Sequence, residues 1–78
     1  MKSRPLKLIE WVDSTTTARW QDTRDIRTTP SRCATVGFLV HSTKDAITLA
    51  QSLDRDGGDV NATMTIPRGC IKSIRNVK

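Results

Sequence analysis

The 78-residue chain is poor in aromatic, histidine and cysteine side chains. It has two tryptophans, one phenylalanine and no tyrosine, which argues against a broad aromatic platform that stacks successive bases of a nucleic acid. One histidine and two cysteines are too few for a typical structural zinc site, which has four ligands with pairs in CxxC-like spacing. We therefore predict no metal site and no cofactor.

Long apolar segments are also absent. No run approaches the roughly 20 residues needed to cross a bilayer, and the polar, basic residues 1–5 do not resemble a signal peptide. Cys33 and Cys70 do not make a disulfide framework, although a single disulfide is arithmetically possible. We expect a cytoplasmic protein with no membrane partner, in which both cysteines are reduced and act as small buried hydrophobes.

Strong helix signals are scarce, and the apolar residues alternate mostly with a period of two, which is typical of strands. The length allows one domain, covering residues 1–78. For residues 46–53 a helix is the alternative, but a strand pairs naturally with the preceding one across a short turn. Strands are predicted at residues 6–13, 18–22, 33–42, 46–53, 60–66 and 70–77.

Three local features refine this all-β prediction. The apolar residues of 6–13 change parity after Leu8, which predicts a bulge or a strand buried on both faces. Gly37 in mid-strand predicts a bend or another backbone passing close by. Residues 23–32 contain Pro30 and little apolar content, so we predict a loop with Ile26 inserted as a plug.

The charge is unevenly distributed along the chain. The net charge is +5, with +3 in residues 1–32, −2 in residues 33–66 and +4 in residues 67–78. In a small barrel the first and last strands pair, so the two basic ends would form one face that attracts an anionic partner. Alternatively, the net charge serves only solubility.

A group of arginines around one tryptophan is the strongest candidate for a binding site. Arginine binds phosphate in a forked geometry and tryptophan stacks on bases, which suits a nucleotide or nucleic acid. Because aromatics are few and Trp11 is assigned to the core, we favour a pocket, or an interface in a homo-oligomer, over an open groove. Alternatively, the tryptophan packs under the loop and the arginines are solvated. The candidate residues are Arg19, Trp20, Arg24, Arg27 and Arg32.

No motif points to catalysis. His41, Ser42 and Asp45 lie within one predicted hairpin turn, whereas a hydrolase triad usually brings its members from distant parts of the chain. The aspartates of residues 54–59 lack the bidentate glutamate of a calcium loop, since Thr65 stands at that position. We expect a protein that is not an enzyme.

Three segments and two single residues resemble a recurrent group of small tailed-phage and prophage proteins. They are residues 9–14 with Trp20, residues 36–40, and residues 66–71 with Ile74. The resemblance implies a partly closed SH3-like or Sm-like barrel of about five antiparallel strands. The chain departs from Sm proteins in lacking their N-terminal helix and their RNA-binding signatures. Small phage barrels include inhibitors of host defence that sequester nucleotide signals, so it also implies an anti-defence role. The alternative is a protein-interaction module that blocks or augments a host protein by edge-strand addition.

Overall fold

The computed structural model describes residues 4–77, which form five strands and two short 3-10 helices. Residues 1–3, which begin the basic N-terminal run, and Lys78, which ends the basic C-terminal segment, lie outside the described residues. The 3-10 helices are Thr23–Asp25 and Arg68–Cys70. The strands are β1 (Leu6–Asp13), β2 (Ser31–Ser42), β3 (Ala46–Leu53), β4 (Val60–Pro67) and β5 (Ile71–Asn76).

All five strands belong to one antiparallel sheet with the order β4-β3-β2-β1-β5. The all-β prediction with five antiparallel strands is confirmed, and β1 pairs with β5 as expected for the two basic ends. The sheet is not closed, because β4 and β5 do not pair with each other within residues 4–77. No helix in this part of the chain is long and apolar enough to cross a membrane.

The sheet is nevertheless strongly curved. Only the residues Arg68–Cys70 join β4 to β5, although these strands are the two edges of the sheet. The four steps from Pro67 to Ile71 span at most about 14 Å, whereas a flat sheet would hold its outer strands about 19 Å apart. The two edges must therefore approach each other at this connection.

The predicted strand at residues 18–22 is wrong. Residues 14–30 form a loop that contains no strand, and every residue in it except Gln21 is exposed. β1 and β2 pair as far as Asp13 and Ser31, so no neighbouring strand remains to bond residues 18–22. The side chain of Asp22 instead caps the 3-10 helix Thr23–Asp25. Ile26 is about half exposed and is not the predicted plug.

The core is small and lies inside the curved sheet. The buried apolar residues come from β1, β3 and β4, so the curvature brings strands together that are not neighbours in the sheet. They are Ile9, Ile47, Leu49, Ala50 and Ile66. Trp11 packs against this cluster, and its Nε1 donates a hydrogen bond of 3.0 Å to Thr35 Oγ1.

Gly37 allows β3 to approach β2 closely, as predicted. A Cβ atom at this position would lie 2.9 Å from the carbonyl oxygen of Ala50 and 3.0 Å from the Cβ of Leu49. The β2–β3 pairing begins beside it, at Phe38 and Ala50, and continues to the turn. The first half of β2 therefore pairs with β1 alone.

Both cysteines are free thiols. Trp11 pairs with Cys33 on one side and with Ile71 on the other, so Cys33 and the residue next to Cys70 are two strands apart. Two strand spacings amount to about 9–10 Å, which exceeds the roughly 7 Å Cα separation that a disulfide tolerates. An internal disulfide would require the sheet to open.

Candidate functional site: a basic cleft beside the long loop

Two adjoining concavities lie where the long loop meets the sheet. Their volumes are about 420 and 580 Å³, and Val12, Arg32 and Lys72 line both of them. Arg27 and Pro30 from the loop complete the larger one. We call this combined site the basic cleft, and its three cations are Arg27, Arg32 and Lys72.

Strand pairing explains why residues so distant in sequence meet here. Arg32 is the direct partner of Val12 across the β1–β2 ladder. On the other side of β1 the register shifts, because Glu10 pairs with Ser73 whereas Trp11 pairs with Ile71. Lys72 is the additional residue of this β-bulge, and bulges commonly redirect a side chain. The basic cleft is thus built from β1, β2, β5 and the loop.

The charges of the basic cleft are not neutralised by the chain itself. Within residues 4–77, none of its three cations forms an ion pair or a side-chain hydrogen bond. Glu10 also lines the smaller concavity, but its carboxylate is engaged by Arg75, whose Nη2 lies 3.1 Å from Glu10 Oε1. Three unpaired cations around one concavity create a positive potential that attracts anions.

The structure places only two of the five predicted site residues in the basic cleft, namely Arg27 and Arg32. Arg24 is held by Asp22 instead, with 2.7 Å between Nη2 and Oδ2. The hydrogen bonds from Arg24 lower the pKa of the Asp22 carboxyl group, and the carboxylate raises the pKa of Arg24. Arg19 and Trp20 do not line the cleft, and the side chain of Trp20 is fully exposed at 103%.

Lys72 is the cleft residue that the sequence did not single out. Its basic segment was expected to join a positive face, because the first and last strands were predicted to meet. The register shift that leaves Lys72 without a partner depends on pairing with β1, more than 60 residues earlier in the chain. No local pattern around residue 72 reveals it.

The β2–β3 turn and the groove between β2 and β3 do not contribute groups that bind an anion. The hydroxyl group of Ser42 and the carbonyl oxygen of Thr43 accept hydrogen bonds from Arg68, at 2.8 and 2.6 Å, which ties the β2–β3 turn to the β4–β5 connection. A groove of about 240 Å³ opens where β2 and β3 diverge, and no charged residue lines it. Among the concavities described here, the basic cleft alone has several unpaired cations.

No family model, curated protein or solved structure matches this chain. An inference about a ligand therefore has to come from the side chains themselves. The relevant chemistry is that of two guanidinium groups and one ammonium group around a partly apolar concavity.

Proposed function

We propose that this protein is a non-enzymatic binding module for a phosphate-bearing anion, a nucleotide or a nucleic acid, held in the basic cleft. The observation that carries the proposal is the convergence of Arg27, Arg32 and Lys72 without any carboxylate partner in the described chain. Guanidinium groups bind phosphate oxygens through two parallel hydrogen bonds, and lysine adds a compact point charge.

The walls of the basic cleft favour a ligand with an organic part as well as charge. Val12 and Pro30 contribute apolar surface beside the cations. Apolar walls lower the local dielectric constant and strengthen the attraction between a cation and a phosphate. A ligand that carries a sugar or a base next to its phosphate would also bury apolar surface there.

We further propose that the curved sheet is a partly closed barrel of the SH3-like or Sm-like type. The three-residue connection between the two edge strands supports this architecture. The resemblance to small phage proteins makes a nucleotide signal of host defence one candidate for the anion. That assignment is a hypothesis, and it follows from the resemblance alone.

The test measures binding of inorganic pyrophosphate by its effect on backbone amide chemical shifts. We expect amides around Val12, Arg32 and Lys72 to shift on titration. The double variant Arg32→Gln/Lys72→Gln should bind about tenfold more weakly or worse, since a hydrogen bond to a charged group contributes about 1.5–3 kcal/mol.

The matched control is Lys44→Gln/Arg55→Gln, which removes the same two kinds of charge from the β2–β3 and β3–β4 turns. Neither residue lines the basic cleft. We expect the control to bind pyrophosphate within about twofold of the wild type, because distant exposed charges are largely screened. Equal losses in both variants, or shifts confined to other parts of the chain, would refute the proposal.

We also propose that the protein forms homo-oligomers. The five buried apolar residues of the described range 4–77 make a small core, and larger apolar side chains such as Val36 and Met64 are 49% and 43% exposed. Small domains commonly compensate for a limited core by association. The mass of the native particle tests this, and a monomer at all concentrations would contradict it.

A further inference from the structure

Trp20 is the least covered large apolar side chain of the described residues. Its relative exposure is 103%, so it packs against nothing, whereas tryptophan is highly buried on average in folded proteins. Its neighbours in the loop are exposed as well, except Gln21. The indole therefore contributes no packing to this fold and is available to an external partner.

The surroundings of Trp20 indicate the charge of that partner. Arg19 precedes it directly, and like the cleft cations it forms no ion pair within residues 4–77. The seven residue steps from Trp20 to Arg27 span at most about 25 Å. A ligand that covers the indole therefore has to extend by no more than about 25 Å to reach Arg27 in the basic cleft.

We propose that Trp20 and the basic cleft form one site for single-stranded nucleic acid, a proposal that rests on the proposed function. Arg27, Arg32 and Lys72 bind successive backbone phosphates, and the indole of Trp20 stacks on one unpaired base. A positive track combined with an aromatic side chain is the usual chemistry of single-strand binding.

The same arrangement does not suit a duplex. An indole can stack on a base only where the face of that base is free, and in a duplex both faces are covered by neighbouring pairs. With one available tryptophan, we expect stacking on a single base and contacts to the phosphates of the others.

The experiment measures the affinity of fluorescein-labelled oligothymidylates of 2, 4, 8 and 12 nucleotides and of a 12-base-pair duplex. We expect affinity to rise about tenfold or more between the shortest and the longest strand, with weaker binding of the duplex. Binding of the 12-mer should also quench tryptophan emission, and this quenching should be lost in Trp20→Ala.

The decisive variant is Trp20→Ala, which removes a side chain with no packing role. It should weaken binding of the 12-mer by about 5- to 150-fold, the loss expected when one stacked base loses its aromatic partner. Pyrophosphate binding in the basic cleft should remain unchanged. Ile26→Ala is the matched control, since Ile26 is an exposed apolar residue of the same loop, and it should bind the 12-mer like the wild type.

Several outcomes would overturn this inference and leave the proposed function intact. They are unchanged 12-mer binding by Trp20→Ala, affinity independent of strand length, or equal affinity for the duplex, each with normal pyrophosphate binding. Loss of an oligomer in Trp20→Ala without loss of 12-mer binding would assign the indole to a second copy of the chain. Absence of both pyrophosphate and oligonucleotide binding would instead refute the proposed function itself.

Discussion

Gly37 is a residue at which β2 and β3 approach each other closely. An added methyl group would meet the Ala50 carbonyl oxygen at 2.9 Å and the Leu49 Cβ at 3.0 Å, and both belong to the core strand β3. Neither atom is the flexible end of a side chain, so the strand itself would have to move. The absence of a side chain at residue 37 is thus a packing requirement.

Gly37→Ala is expected to lower the free energy of unfolding by about 1–3 kcal/mol, the usual cost of overpacking. Urea denaturation followed by circular dichroism measures this change. Gly69→Ala is the matched control, because no atom lies within 4 Å of the corresponding Cβ position. A control variant that is as unstable as Gly37→Ala would show that the close approach to β3 is not the cause.

Asp22 and Arg24 provide a prediction that depends on pH. The hydrogen bonds from Arg24 lower the pKa of Asp22, so the pair stabilises the loop above the ordinary aspartate range and this contribution is lost as the pH falls through the lowered value. In Arg24→Gln the pKa of Asp22 should rise towards its ordinary value. A carboxyl carbon titration by NMR measures it, and an unchanged pKa would argue against the contact.

At the scale of elements, Arg68 connects two parts of the sheet that are far apart in sequence. Its side chain bonds the β2–β3 turn at Thr43 and Ser42, and its backbone amide donates to the Asp45 carbonyl oxygen at 2.9 Å. The connection between the edge strands is therefore fixed to the opposite hairpin.

Arg68→Gln should destabilise the fold by about 1–3 kcal/mol, since two side-chain hydrogen bonds contribute about 0.5–1.5 kcal/mol each. Thermal unfolding measures the loss. Lys44→Gln removes a positive charge from the same turn, where Lys44 has no ion pair among the described residues, and it should change stability by less than about 0.5 kcal/mol. Comparable destabilisation by both variants would point to charge and not to the hydrogen bonds.

The elements differ in how far the sequence could predict them. The strands β1 to β5 follow from alternation and from turn residues, which are local signals. The segment 18–22 also contains strand-forming residues, but β1 and β2 leave it without a partner. The sequence also did not indicate which face of β2 turns towards the core. Leu39 packs on the core, whereas Val36 on the other face is 49% exposed.

The sequence predicted the positive charge of the candidate site, but only some of the residues that line it. Arg27 and Arg32 could be chosen because they stand in a loop rich in arginine. Lys72 could not, because its place in the basic cleft depends on a bulge formed with β1. Arg24 was predicted as a site residue because of its positive charge, but Asp22 neutralises that charge. The two residues meet because Asp22 caps the 3-10 helix in which Arg24 lies.

At the scale of the whole molecule, the protein is elongated. Its Cα radius of gyration is 16.1 Å and its extents are 55 × 23 × 22 Å, whereas a compact chain of this length would have a radius of about 12 Å. The exposed loop 14–30 contributes to this shape. An elongated surface suits a ligand that extends beyond one cleft.

The salt dependence of binding tests whether the ligand extends along the surface beyond the basic cleft. A single strand that contacts the three cleft cations should lose affinity with a slope of about −2 in log Kobs against log salt, and about −3 if Arg19 also contacts a phosphate. Fluorescence anisotropy with the 12-mer at several salt concentrations measures the slope. In Arg32→Gln/Lys72→Gln it should become shallower by about one unit or more, and an unchanged slope would mean that the strand lies elsewhere.

The position of β1 between β2 and β5 also determines the order in which the chain can fold. The β2–β3 and β3–β4 hairpins join neighbouring segments, but Lys7 must find Asn76, which is 69 residues away. Closing that separation costs about 2 kcal/mol more entropy than closing the β2–β3 turn. The meander β2–β3–β4 is therefore expected to form early, and β5 is expected to dock last. Until that final step of folding, β1 retains an unpaired edge and Ile9 is incompletely covered.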